Sequence, residues 1–106
     1  MSSAVIVTTT TDSEPGARAI ARAAVEERLA ACAHVTAVTS VYRWQSNVEE
    51  QPEWVCHLKT TAEQAERLMA RIRALHAYEV PEIIVTPVLT GYPPYLQWMA
   101  DSVGEV

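Results

Sequence analysis

The sequence predicts a single α+β domain with the element order β-α-β-β-α-β and one further helix near the C-terminus. Three observations lead to this fold class. The chain has 106 residues, which suits one domain, and we expect that domain to span residues 1–106. Short β-branched or alternating segments indicate four strands. Two stretches with apolar residues at i, i+3 and i+4 indicate helices between those strands.

The first strand and the first helix are predicted near the N-terminus. The run Val5–Val7 is β-branched and continuous, which is typical of a strand buried on both faces. Asp12 or Ser13 can cap the helix that follows, since either side chain can accept a bond from a free backbone N–H. The apolar spacing continues this helix to about Ala31. Its predicted apolar face consists of Ala17, Ile20, Ala21, Ala24, Val25 and Leu29.

The next two strands are expected to form a hairpin. Residues 35–44 alternate in side-chain character, and residues 53–60 alternate again, as the two faces of a strand require. The polar residues 45–52 lie between them and include the pair Glu49 and Glu50. This pattern predicts an exposed connection that is longer than a tight turn.

A second helix is predicted after Thr61. Thr61 and Gln64 have the spacing of a capping box, in which each side chain bonds to the backbone N–H of the other residue. The apolar stripe that follows runs to Leu75 and places His76 at its edge. We therefore expect His76 to lie at the end of this helix.

The last strand and the C-terminal helix complete the pattern. Residues 83–88 are apolar and β-branched, and Pro87, which has no N–H, should end the strand or lie at a sheet edge. Tyr95–Met99 predicts a short helix that packs by one face. This order is typical of the ferredoxin-like fold, an antiparallel sheet with two helices on one face. The other face also carries apolar side chains, so we expect other copies of the chain to cover it.

Composition and charge argue against several classes of function. The net charge is −5 and the eight Lys and Arg are scattered, whereas nucleic-acid binding needs a clustered basic surface. The sequence has no apolar run near the roughly 20 residues of a membrane span and no secretory pattern, so we expect a cytoplasmic protein without membrane or nucleic-acid partners. Cys32 and Cys56 lack the spacing of a zinc site and are expected to be structural thiols. The sequence has no GxSxG motif or phosphate-binding glycine loop, and we expect no enzymatic activity.

The segment from His76 to Glu82 combines an imidazole, a phenol and two carboxylates where a helix should end and a strand begin. Pro81 makes this turn stiff, and such junctions often hold ligand sites. We predict His76 as a metal ligand, because neutral imidazole suits copper and zinc. One alternative is a helix-terminal His that interacts with the last carbonyls of the helix. Another is an acid–base pair of His76 and Glu82 in a hydrolase or lyase.

Lys59, Tyr78 and Glu82 are predicted to share a polar cleft. Lys59 ends a strand and Glu82 begins one, so the two can approach across the end of the sheet or across a subunit boundary. Such a cleft would bind a small anionic or metal-bound ligand; the alternative is a structural Lys–carboxylate pair with a tyrosine hydrogen bond at a subunit junction. Cys32 is expected to follow a helix end as a packed thiol, and Trp98 to anchor the core or an interface.

Five motifs occur along nearly the whole chain: Glu27–Cys32, Ser40–Trp44, Leu58–Thr61, His76–Glu82 and Tyr95–Trp98. Together and in this order they resemble the CutA family of divalent-cation tolerance proteins. The resemblance implies a ferredoxin-like subunit in a tight homotrimer, a role in the response to metal ions, and association with divalent metals, copper above all. It implies no established enzymatic reaction. It also implies an architecture similar to the trimeric PII signalling proteins, so a PII-like sensor of a small ligand is the alternative function.

The resemblance carries a metal site over to this chain only in part. In the copper-linked bacterial pattern, a Cys ends the first strand and two adjacent His precede a Pro-Tyr pair. The corresponding positions here are Thr9, Leu75, His76 and Ala77, of which only His76 matches the pattern. The ligand that the resemblance implies for this chain is therefore His76.

Overall fold

The computed structural model describes residues 3–105 and contains four strands and three helices within that range. The strands form one antiparallel sheet in the order β2-β3-β1-β4. The predicted α+β class and element order are confirmed. The elements are β1 (Ala4–Thr11), α1 (Glu14–Glu26), β2 (Cys32–Trp44), β3 (Asn47–Thr61), α2 (Ala62–Leu75), β4 (Ile83–Pro87) and α3 (Pro93–Asp101).

The core lies between α1, α2 and one face of the sheet. Alternate β1 residues face in opposite directions, so Val5 and Val7 are buried while Ile6 and Thr8 are only half-buried within one chain. The expectation that the first strand is buried on both faces is therefore wrong for the single chain. The core cluster consists of Val7, Ile20, Ala24, Leu29, Ala30, Cys56, Leu58, Leu68 and Ile72.

Helix α1 starts as predicted but ends earlier. The Ser13 hydroxyl accepts a 3.0 Å hydrogen bond from the Gly16 N–H, which identifies Ser13 as the cap. The helix stops at Glu26 rather than near Ala31, because Arg28 adopts a left-handed φ of 60° and turns the chain. Leu29 then enters the core from a loop. Consequently Cys32 does not follow a helix end; it is the first residue of β2.

The β2–β3 hairpin closes through a tight two-residue turn, which corrects the prediction of a long loop. Trp44 pairs with Asn47, and the intervening Gln45 and Ser46 have φ values of 49° and 71°. Positive φ at both central positions is the geometry of a type I′ turn. Pairing continues through residues 48–52, so Glu49 and Glu50 belong to a strand and not to an exposed loop.

Helix α2 begins at the predicted position without the predicted cap. The Thr61 side chain makes no capping bond, and the Ala62 N–H instead donates to the Ser3 carbonyl over 2.8 Å. Within residues 3–105 the buried Gln64 Oε1 has no hydrogen-bond partner. The capping-box prediction is therefore wrong, because neither the Thr61 side chain nor Gln64 Oε1 makes, within that range, the hydrogen bond that the box requires. The helix ends at Leu75, and His76 is its C-cap.

Helix α3 covers one end of the sheet face opposite α1 and α2. Met99 and Val103 pack with Ala31, and the partly buried Ala4 and Leu96 lie against them. At that end the face is therefore covered by α3 of the same chain, whereas we expected other copies of the chain to cover it. Strand β4 ends at Pro87 and lies at the sheet edge, as predicted. None of the helices described in residues 3–105 is long and apolar enough to cross a membrane.

Candidate ligand cleft and metal site

An open cleft of about 580 Å³ lies between the β2–β3 hairpin and the segment that follows α2. The hairpin contributes one side, and the residues before β4 contribute the other. Among the described residues, none that lines the cleft is a Lys or Arg, so charge complementarity favours a cationic ligand over an anionic one. The lining residues are Thr10, Ser40, Val41, Tyr42, Trp44, Glu53, Tyr78, Glu79, Val80 and Glu82.

A buried carboxylate and a phenol link the two sides of this cleft. The Tyr78 hydroxyl donates a 2.5 Å hydrogen bond to Glu53 Oε2, and Glu53 is only 7% exposed. Burial, followed by the bond to Glu53 and its negative charge, raises the pKa of Tyr78 above its ordinary value. The phenol therefore stays protonated at neutral pH and continues to donate. This bond fixes the segment after α2 against the hairpin.

His76 is held by the backbone through both ring nitrogens. Nδ1 accepts a 3.0 Å bond from the Tyr78 N–H, so Nε2 carries the proton and donates to the Thr10 carbonyl over 2.7 Å. The ring also lies 4.9 Å from the Tyr78 ring, centroid to centroid. The carbonyl that it meets belongs to β1 and not to the last turn of α2. Ligation of a metal by His76 requires one of these two bonds to open.

The remaining predicted residues divide between the two ends of the sheet. Tyr78 and Glu82 line the cleft, but Lys59 does not. The Lys59 ammonium donates to the Tyr95 hydroxyl over 3.4 Å, and the Tyr95 ring lies 5.4 Å from that of Trp98. Cys32 pairs with Lys59 across the hairpin. Cys32, Lys59 and Trp98 therefore lie near α3, away from Tyr78 and Glu82.

Comparison with known proteins identifies the family. The family model described as "CutA1 divalent ion tolerance protein" matches residues 5–102. The chain belongs to the CutA1 family. A divalent-cation tolerance protein CutA from Thermus thermophilus is 45% identical over 100 residues, covering 93% of this chain and 97% of that protein. The Cut A1 structure from the same organism superposes with a TM-score of 0.92 at 44% identity and covers 95% of this chain and 99% of that one.

Two other CutA proteins differ in length or in described location. Protein CutA from Homo sapiens is 43% identical over 98 residues, which is 92% of this chain, but the chain spans only 55% of that protein. A structure from Archaeoglobus fulgidus, described as a periplasmic divalent cation tolerance protein CutA, has a TM-score of 0.92 at 27% identity. It covers 95% of this chain and 99% of that one.

The surroundings of His76 in this CutA1-family chain do not fit the copper pattern. Thr9 is fully buried, and its hydroxyl has no hydrogen-bond partner within residues 3–105. Leu75 and Ala77 carry no donor atom, and both His76 nitrogens are already bonded. In the described part of the chain, no three His, Cys, Asp or Glu side chains are placed to hold a metal ion. The described residues around His76 therefore do not form the three-ligand site of the copper-linked pattern.

Glu53 and Tyr42 line the cleft, although no sequence pattern predicts that position for either residue. Glu53 and Val55 are alternate residues on one face of β3, and this pattern predicts the face but not the burial of Glu53. That burial depends on Tyr78, which follows α2, and no local pattern in the sequence joins the two. The histidines His34 and His57 were also missed, because they meet only when the hairpin register is known.

Proposed function

We propose that this protein is a homotrimeric divalent-cation tolerance protein that binds divalent metal ions, copper among them, in the response of the cell to those ions. The observation that supports it is the family match over residues 5–102, together with relatives that carry this description. No catalytic motif accompanies the match, and the His76 nitrogens that an acid–base mechanism would use are bonded to the backbone. We therefore propose a binding role and no enzymatic one.

Exposed apolar side chains support the trimer. Val41 is 63% exposed on β2, Val48 is 67% exposed on β3, and Trp44 is half-exposed beside the turn. Such a set is costly in water and is typical of a surface that a further subunit covers. Light scattering at micromolar concentration should give three times the chain mass of 11.7 kDa. A monomeric mass would contradict the assembly.

His76 stays a predicted metal ligand, and copper titration tests it. If His76 binds copper, His76→Gln should weaken copper binding, as measured by isothermal titration calorimetry. Leu75→His, which adds a second imidazole next to the first, should then strengthen it. Identical isotherms for wild type and His76→Gln would remove His76 from the proposed site without removing the function.

A PII-like sensor is the second candidate function, and the cleft favours it. The cleft combines the buried Glu53 carboxylate with the rings of Tyr42 and Trp44, which suits a small organic cation. A thermal-shift screen of metabolic amines should find a compound that stabilises wild type but not Trp44→Ala. Stabilisation by divalent metals alone would favour metal tolerance.

We also propose a cytoplasmic location. Cys32 and Cys56 are both free thiols, a state that a reducing compartment maintains. Fractionation of cells that express the protein at its natural level should place it with cytoplasmic markers. Recovery in the periplasmic fraction would contradict this location.

A further inference from the structure

We propose that Cys32, His34 and His57 form a site for a thiophilic metal ion, Zn²⁺ or Cu⁺, on the sheet face opposite α1 and α2. Its cellular role rests on the proposed metal-tolerance function, whereas its chemistry rests on these three side chains. The sequence lacks the Cys and His spacing of common zinc motifs, but the sheet register brings these three residues together. The site lies away from His76.

Cys32 and His34 are already at the spacing of two ligands. They are alternate residues of β2 and therefore share a face. Cys32 Sγ and His34 Nε2 are 3.7 Å apart. Zn–S bonds of about 2.3 Å and Zn–N bonds of about 2.0–2.1 Å at a tetrahedral angle place the two ligand atoms roughly 3.6 Å apart. An ion can therefore bind between them with little movement of either side chain.

His57 supplies the third ligand from the neighbouring strand. It pairs directly with His34 in the hairpin register and lies on the same face. Side chains of directly opposed residues have Cβ atoms about 4.5–5.5 Å apart, which is within reach of a shared ion. Two alternate residues of one strand and the residue opposite on the next thus form a triangle of ligands.

The His57 side chain must rotate before the three ligands can bind one ion. The His57 ring is turned toward β1, where its Nδ1 lies 3.1 Å from the Thr8 hydroxyl. For this reason the three side chains do not yet converge within residues 3–105. The bond to Thr8 is exposed, so water replaces it when the ring turns, and the net cost is small.

Within a single chain these ligands are accessible to solvent, and in a trimer that covers this sheet face they would lie between subunits. His34 and His57 are exposed and Cys32 is a half-buried free thiol. Lys59, the cation opposite Cys32, directs its ammonium toward Tyr95. Sulfur and imidazole ligands select zinc or cuprous copper over magnesium and calcium, and three protein ligands leave a fourth position for water.

The test uses Co²⁺ as a spectroscopic probe of the reduced, metal-free full chain, followed by displacement with Zn²⁺. We expect one ion per chain and a sulfur-to-cobalt charge-transfer band in the near ultraviolet. Cys32→Ser should abolish the band, and His34→Gln and His57→Gln should each weaken zinc affinity at least tenfold. Glu66→Gln, on the exposed surface of α2, is the control and should bind as wild type does. Circular dichroism verifies that each variant is folded.

The outcomes separate this site from the proposed function. A band that persists in Cys32→Ser, or wild-type affinity in His57→Gln, would overturn the three-ligand site. Loss of binding in His76→Gln with no change in Cys32→Ser would overturn it while leaving metal binding by the protein intact. Conversely, binding at Cys32 in a protein whose deletion leaves the metal tolerance of cells unchanged would retain the site and contradict the function.

Discussion

At the residue scale, two buried threonines on the same sheet face have opposite hydrogen-bonding states. Thr60 donates a 2.7 Å bond to the Leu29 carbonyl. Thr9 is equally buried, but its hydroxyl has no partner within residues 3–105. A buried hydroxyl without a partner loses its bonds to water and gains nothing in return. Thr9 therefore weakens the fold at the position where the copper-linked pattern has a Cys.

We predict that Thr9→Val stabilises the protein by about 1 kcal/mol, since the isosteric change removes an unpaired polar group. Thr60→Val is the matched control and should destabilise it by about 1–3 kcal/mol, because the Leu29 carbonyl loses its donor. Urea unfolding at one fixed protein concentration measures both changes. Equal destabilisation by the two variants would show that the Thr9 hydroxyl has a partner after all.

The buried thiol of Cys56 makes stability depend on alkaline pH. Burial raises its pKa from 9.0 to about 11. The unfolded chain then releases this proton at lower pH than the folded chain, so stability is full below pH 9 and falls as the pH rises toward 11. We predict a smaller loss between pH 9 and 11 in Cys56→Ala than in wild type, by about 2–3 kcal/mol, measured by urea unfolding at each pH. Parallel curves for the two proteins would contradict the shift.

At the element scale, the hairpin turn is built from residues that do not favour it. Gln45 and Ser46 both have positive φ, a conformation that is costly for residues other than glycine, asparagine and aspartate. The strands on either side are long and fully paired, so they hold the turn in this geometry. The strain is therefore local and can be removed by substitution.

We predict that Gln45→Asn with Ser46→Gly stabilises the hairpin by about 1–2 kcal/mol, because these residues adopt a type I′ turn readily. Glu50→Gly, a glycine placed within β3, is the control and should destabilise by about 0.5–1 kcal/mol. Thermal unfolding at matched concentration distinguishes them. A lower melting temperature in the turn variant would mean that Gln45 or Ser46 makes contacts that outweigh the strain.

At the scale of the whole molecule, the hairpin extends an elongated chain of 44 × 25 × 20 Å. Its exposed apolar residues include Val41 on β2, whereas Val25 is an exposed apolar residue of α1. Val41 on β2 is more exposed than Val25 on α1, although both are valines at the protein surface. If further copies of the chain cover the hairpin, Val41 is buried in the assembly and Val25 stays exposed to solvent.

We predict that Val41→Asp lowers the mass in solution from three chains toward one, because a charge buried at an interface is strongly unfavourable. Val25→Asp, the matched control, should leave the mass unchanged. Light scattering over a range of concentrations measures both. Equal masses for the two variants would place the assembly surface elsewhere.

The element order, the fold class and the family were predictable because each strand and helix carries its own periodic signal. The end of α1 was not, since it depends on Arg28 adopting a left-handed φ that its side chain does not signal. The tight turn was missed for the same reason, as Gln45 and Ser46 are not the usual residues for it. Because that turn sets the hairpin register, the pairing of His34 with His57 was beyond local patterns. The contact between Glu53 and Tyr78 joins distant segments and was equally hidden.

The tight turn also bears on how the chain folds. Residues paired across β2 and β3 are close in sequence, so the entropy lost on closing that loop is small. Strand β1 must instead find β3 and β4 across most of the chain, as in the pairing of Val5 with Thr60 and with Pro87. Local contacts form faster than distant ones. The hairpin is therefore positioned to assemble early and to present a template edge on which the N-terminal strand docks late.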